Sequence, residues 1–228
     1  ALVLDGGTAT VSSDTVVDNF ALRSGTLTGS ANMLITNRFV WTSGIMSGAG
    51  ITQLGSAATG TAYTGQWGNS DTSGYMPILR RTFVIASGGA LTVDSNNVNY
   101  RYFDIDGAGI LQNEGTLAFT NSSNYNSALL LGSVNGVAGT IRNYGTIYVN
   151  MGTTYTNAYV SNNYINLINT NGTIKTDNNS ISATTSIWNQ NYSATVSGTS
   201  YFDQGVRFSA TTSLAGTIGL RSGATAGS

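Results

Sequence analysis

The sequence predicts an all-β protein, a parallel β-helix (β-solenoid) with coils of irregular length. Three observations carry that expectation. A short unit recurs as Ser24-Gly25-Thr26-Leu27-Thr28-Gly29, Ser43-Gly44-Ile45-Met46-Ser47-Gly48, Asn113-Glu114-Gly115-Thr116-Leu117, Asn143-Tyr144-Gly145-Thr146-Ile147 and Asn171-Gly172-Thr173-Ile174. Recurrence at intervals of roughly 20–30 residues marks an array in which each coil buries its apolar side against the next. β-branched and aromatic residues alternate with Thr, Ser and Asn, turns fall at Gly or Asn, and helical periodicity is nearly missing. The chain also holds a single proline, Pro77. Continuous ladders demand such scarcity, because proline has no N–H to donate.

The elements follow in order. Strands are expected at 8–11 and 15–17, bounded by Gly6-Gly7 and Asp14, then at 34–36 and 39–41 on either side of Asn37-Arg38. Further alternating runs lie at 82–85, 90–93, 100–103, 128–131, 146–149, 164–168 and 208–210. Residues 52–81 carry no repeat and read as a long loop or hairpin inserted between coils. Residues 177–200, polar around Ile187-Trp188, read as a second irregular segment. Residues 1–228 are expected to form one solenoid domain. The small polar tail 222–228 reads as frayed or continuing, and Ala1 in place of Met suggests a processed or trimmed start.

Asn before Gly has a physical rationale. Both residues tolerate the left-handed backbone of a sharp corner. Stacked Asn side chains can also hydrogen-bond from coil to coil. Asn113, Asn143 and Asn171 are therefore expected to form a corner ladder.

Composition narrows the function. Charged residues are 8% of the chain and the net charge is −1, against about 25% charged in an ordinary domain. Nucleic acid and anionic membranes find no basic surface here. Cys and His are absent, so disulfides, zinc sites and His-dependent triads are excluded. No apolar run approaches the ~20 residues of a membrane-spanning helix. A surface of Asn, Thr, Ser and Gly repels its own copies weakly and suits self-packing or neutral sugars.

Several residues resemble a known group. The runs 25–30 and 39–50, and the pattern Leu111-Gln112-Asn113-Glu114-Gly115-Thr116-Leu117 with Ile141-Arg142-Asn143-Tyr144-Gly145-Thr146-Ile147, are similar to coils of autotransporter passengers and haemagglutinin-like adhesins. Gly6-Gly7-Thr8-Ala9-Thr10 resembles units of self-associating autotransporter adhesins. The resemblance implies a bacterial, secreted parallel β-helix at work in attachment, aggregation or fibre building.

Candidate sites are few. Asp104 and Asp106, at i and i+2, would share a face of a strand and could begin a calcium site or act as the acid and base of a glycosidase. The plainer alternative is a turn bearing two solvated acids. Lys175 and Asp177 have the same spacing, but chance pairing explains them as well. Trp67, Tyr63 and Tyr75 sit on the expected insertion, and Trp67 and Tyr75 suit a subunit contact or ligand surface. Tyr144, Tyr148, Tyr155, Tyr159 and Tyr164 crowd one stretch, and the strand tyrosines are expected to be structural. Four glycosylation sequons occur, with Asn178 and Asn191 the better surface candidates over Asn121 and Asn171.

Neither end shows a capping helix, and the terminal strands are apolar, at Leu2-Val3-Leu4 and at Leu214-Ala215-Gly216-Thr217-Ile218. Uncapped solenoid ends invite head-to-tail addition by end stacking or terminal-strand donation. The sequence-based expectation is a non-enzymatic, secreted structural subunit that polymerises with itself into a cell-surface or matrix fibre. No cofactor is expected apart from calcium. The alternatives are a β-helical adhesin fragment that binds surface glycans, a polysaccharide-active β-helix enzyme, and a binder of ice or another flat surface.

Overall fold

The computed structural model describes residues 1–63, 65–66, 76–95, 101–121, 128–133, 136–150, 159–162, 164–176, 178–179, 184–185, 187–203 and 205–221. The chain winds as a parallel β-helix whose strands join one 25-stranded sheet. Each coil contributes to three faces. Face 1 stacks 15–17, 33–35, Ile51–Leu54, Thr82–Ile85, Ile110–Asn113, Thr140–Asn143, Asn166–Thr170, Ala194–Ser197 and Thr212–Leu214. Face 2 begins at 2–4, 20–22 and 38–41. It continues through Thr59–Tyr63, Ala90–Asp94, Thr116–Thr120, Thr146–Asn150, Thr173–Thr176, Thr199–Asp203 and Thr217–Arg221. Face 3 runs from 8–10 and 26–28 through Gly44–Met46, Pro77–Leu79, Arg101–Ile105, Ala128–Gly132, Tyr159–Asn162 and Ile187–Gln190 to Val206–Phe208.

Alternation sends every second residue inward, so the core is a set of vertical columns. On face 2 one column reads Phe20, Phe39, Gly60, Leu91, Leu117, Ile147, Ile174, Phe202 and Leu220. Their neighbours Val40, Thr61, Thr92, Ala118 and Tyr148 are half-buried on the outer surface. Aromatic rings knit coils together inside: Phe39 lies 5.9 Å from Phe20 and 5.4 Å from Phe83, and Trp41 meets Phe103 edge-on at 5.6 Å. Phe119 and Trp188 repeat this lower down at 5.6 Å.

Coil length varies chiefly at one corner. The passages from face 1 to face 2 are short, and those from face 3 to face 1 are short except between Gly132 and Thr140. Passage from face 2 to face 3 is short in the end coils, as in Trp41 to Gly44 and Asp203 to Val206. In the middle it lengthens at Tyr63 to Pro77, Asp94 to Arg101, Thr120 to Ala128, Asn150 to Tyr159 and Thr176 to Ile187. The inserted segments are thus narrower than the sequence suggests. Ile51–Leu54, Thr59–Tyr63 and Pro77–Leu79 are coil strands, which leaves 64–76 as the excursion, where 65–66 pairs antiparallel with 101–102. Pro77 is tolerated because it opens its strand. Likewise Trp188, Ala194 and Val196 of the expected irregular stretch are buried core residues. That excursion shrinks to 177–186, with an antiparallel pair between 178–179 and 184–185. Among the described residues no helix is long and apolar enough to cross a membrane.

Candidate functional site

The two ends of the helix are open. Leu2–Thr10 pairs only with Thr15–Thr28, and Val206–Phe208, Thr212–Leu214 and Thr217–Arg221 each have a neighbour on one side among the described strands. An open edge presents unpaired N–H and C=O groups to the next strand that arrives. Core columns stop abruptly there. Leu220 follows Phe202 in an inward column and is 83% exposed; Leu214 follows Val196 and is 58% exposed; at the opposite end Leu2 precedes Phe20 and is 41% exposed. Leu4 and Ile218 pack partly against the core, and Val3 points outward. Sequence reading reached Leu2, Val3, Leu4, Leu214 and Ile218 but missed Leu220, which strand parity would have marked as inward.

The corner between faces 1 and 2 holds the asparagine ladder, with one correction. Asn113 Nδ2 donates to Asn143 Oδ1 at 2.7 Å, and Asn143 Nδ2 donates to Asn169 Oδ1 at 2.6 Å. The last rung passes from Asn169 Nδ2 to Ser200 Oγ at 2.9 Å. Asn171, the expected third rung, is exposed and lies at φ 56°, and its Oδ1 accepts from the Thr199 N–H at 2.8 Å. The reason is register: Asn143 aligns with Asn169 and Thr146 with Thr173, so the third corner has one extra residue. Asn171 is that residue, and it takes the left-handed conformation. Asn113 and Asn143 do not.

Two further buried polar clasps were illegible in the sequence. Arg81, 1% exposed, donates from Nε to the Gly50 carbonyl at 2.8 Å, and reaches the Ala31 and Ser47 carbonyls at 3.1 and 3.3 Å. Burial lowers its pKa from the ordinary arginine value. Its guanidinium fork satisfies corner carbonyls from two earlier coils. A corner later in the chain uses two side-chain amides instead: Asn162 Nδ2 donates to Gln190 Oε1 at 2.9 Å, while Gln190 Nε2 reaches the carbonyls of Ile165, Tyr192 and Ser193.

Asp104 and Asp106 do share a strand face, but neither is a solvated turn acid: both are 1% exposed. Asp106 Oδ2 pairs with Arg80 Nε at 3.0 Å, and its Oδ1 accepts from Ser133 Oγ at 2.8 Å. This fastens the corner between faces 3 and 1. Among the described residues no three His, Cys, Asp or Glu side chains come together as a metal site. Trp67, Tyr75 and Asp177 lie outside the described residues. Asn178 lies in the small antiparallel pair, and Asn191 is exposed at a corner, donating to Ser161 Oγ at 2.9 Å. Tyr148 is half-buried on the outer face, whereas Tyr144 and Tyr164 are exposed at corners.

The described residues therefore form a parallel β-helix whose first and last coils each have a strand neighbour on one side among the described strands. No protein-family model, curated protein or solved structure matches the chain.

Proposed function

We propose that the protein is a non-enzymatic structural subunit that joins head to tail, through its two end coils, into an extracellular fibre at the cell surface or in a matrix. One observation carries this reading. Inward leucine columns end uncovered at both ends, and both end coils have the same compact shape. The coil from Leu2 to Phe20 and the coil from Phe202 to Leu220 each lack the excursions of the middle coils. A second copy stacked on Thr212–Leu214 and Thr217–Arg221 continues every face in parallel and covers Leu214, Leu220 and Leu2 at once. Such a contact is heterologous and does not close, so it propagates. The occupant is another copy because both end coils return to the same column after 18 residues (Leu2 to Phe20 and Phe202 to Leu220) and because a charge-poor surface offers little repulsion. The resemblance to exported β-helical adhesins supports an extracellular location.

Blocked ends test the proposal. Leu2→Asp disables the first edge and Leu220→Asp the last, each placing a carboxylate in a joint that buries it. Light scattering and electron microscopy should find concentration-dependent filaments for the unaltered chain and monomers for each variant. An equimolar mixture of the two variants should give dimers and nothing longer, because only one good edge of each remains. The proposal fails if the unaltered chain stays monomeric up to millimolar concentration, or if either single variant still forms filaments.

A further inference from the structure

Tyr164 and Tyr192 form an exposed aromatic pair on neighbouring coils, at the corner between faces 3 and 1. Their ring centroids are 6.4 Å apart with an interplanar angle of 39°, and the side chains are 54% and 36% exposed. The backbone beneath them is held by the Asn162–Gln190 clasp. Asn162 Oδ1 accepts from the Ile165 N–H at 2.9 Å, directly after Tyr164, and Gln190 Nε2 donates to the Tyr192 carbonyl at 3.2 Å. Both residues of the clasp are fully buried. The backbone that carries the rings is therefore ordered before any ligand arrives, which lowers the ordering cost of binding.

The rim is polar and uncharged. Ser193 Oγ donates to Asn166 Oδ1, and Asn166 Nδ2 donates to the Gly139 carbonyl at 3.3 Å. The Asn166 amide keeps one N–H and one lone pair beyond those two bonds. Asn191 stands on the same corner. Flat aromatic faces beside neutral amides and hydroxyls match one ligand chemistry: the apolar faces and equatorial hydroxyls of sugar rings, with no ionic requirement.

We propose that Tyr164 and Tyr192 form a binding platform for a neutral polysaccharide, each ring stacking on a neighbouring sugar. The platform is at a coil corner, with Tyr192 one coil short of the last face 1 strand, Thr212–Leu214, so the Leu220→Asp background is used to separate its binding from the head-to-tail joint.

The test uses the Leu220→Asp background, which keeps the chain monomeric if the joint is as proposed, in parallel with the unaltered chain. Retention on insoluble cellulose, chitin, β-1,3-glucan and mannan is compared with retention on anionic polygalacturonate. At least one neutral matrix should retain the protein. Tyr164→Ala or Tyr192→Ala should weaken retention about 5-fold or more, and the double variant by an order of magnitude beyond that. Tyr144→Ala, at a different exposed corner, should leave binding unchanged, and circular dichroism should show all variants folded. Failure of every neutral matrix to retain the protein overturns the proposal. So does retention on polygalacturonate alone, or a double variant that binds as the unaltered chain does.

Discussion

At the Asn-x-Gly-Thr corners, asparagine and glycine divide two tasks. Asparagine carries a hydrogen bond inward from coil to coil, while glycine makes room. A Cβ on Gly145 would sit 2.3 Å from the Gly115 carbonyl oxygen, and one on Gly115 would sit 2.2 Å from that of Gly89. Close approach of stacked backbones demands glycine there, not a left-handed φ. Asn171 works the other way round, since its left-handed backbone is what the site requires. Asn143→Ala should therefore cost about 1–3 kcal/mol in urea unfolding, because it strips a partner from both Asn113 and Asn169. Asn171→Gly should cost less than about 0.5 kcal/mol. Arg81→Met keeps most of the volume but abandons the carbonyls of Ala31, Ser47 and Gly50, and should destabilise by about 3 kcal/mol or more. Equal losses for Asn143→Ala and Asn171→Gly would show that the ladder contributes nothing.

At the scale of the coil, the spacing of Leu117, Ile147 and Ile174 behind their corners made the stacked strands legible from sequence alone. So did the alternation that sends Phe83 and Ile85 inward. Other coils were hidden because their inward residues do not look like core. In Thr59-Gly60-Thr61-Ala62 the inward positions are glycine and alanine, and the space beside Gly60 is filled by Leu54 of the same coil and by Phe39 and Leu91 of the coils on either side. Trp188 sits with Ile187 in an otherwise polar run, yet it packs on Phe119 from a different coil. Such burial is set by what lies a coil away, and local pattern cannot register it. The same holds for Arg81, whose partners are 31 to 50 residues earlier, and for the Asn143–Asn169 match that displaced Asn171. Gly145→Ala tests the stacking directly. It should destabilise by more than about 2 kcal/mol, with the loss seen first as faster amide exchange in 113–120 and 146–150, which flank the clash.

At the scale of the molecule, the proposed head-to-tail joint would depend on shape and apolar cover, with little charge involved. The chain carries nine Lys+Arg and ten Asp+Glu in 228 residues, and the named end residues are leucines. Filament growth should accordingly change by less than about 2-fold between roughly 0.1 M and 1 M salt, measured by turbidity or scattering; a steep decline would assign the joint to ion pairs. Because every coil pairing along the axis is parallel, the two ends are chemically different. Growth should therefore be directional, with unequal rates at the two tips when seeded filaments are watched by fluorescence microscopy.

The corner between faces 2 and 3 has one more implication. Connections there range from the two residues between Trp41 and Gly44 to the long passage from Tyr63 to Pro77, while the inward columns on either side stay in register. The molecule thus already tolerates extra length at this edge, coil after coil. A peptide epitope or enzyme tag grafted between Asn150 and Tyr159 would be carried as cargo without touching the end coils. Once subunits join, that edge would become a periodic display rail whose pitch is set by the number of coils in each copy.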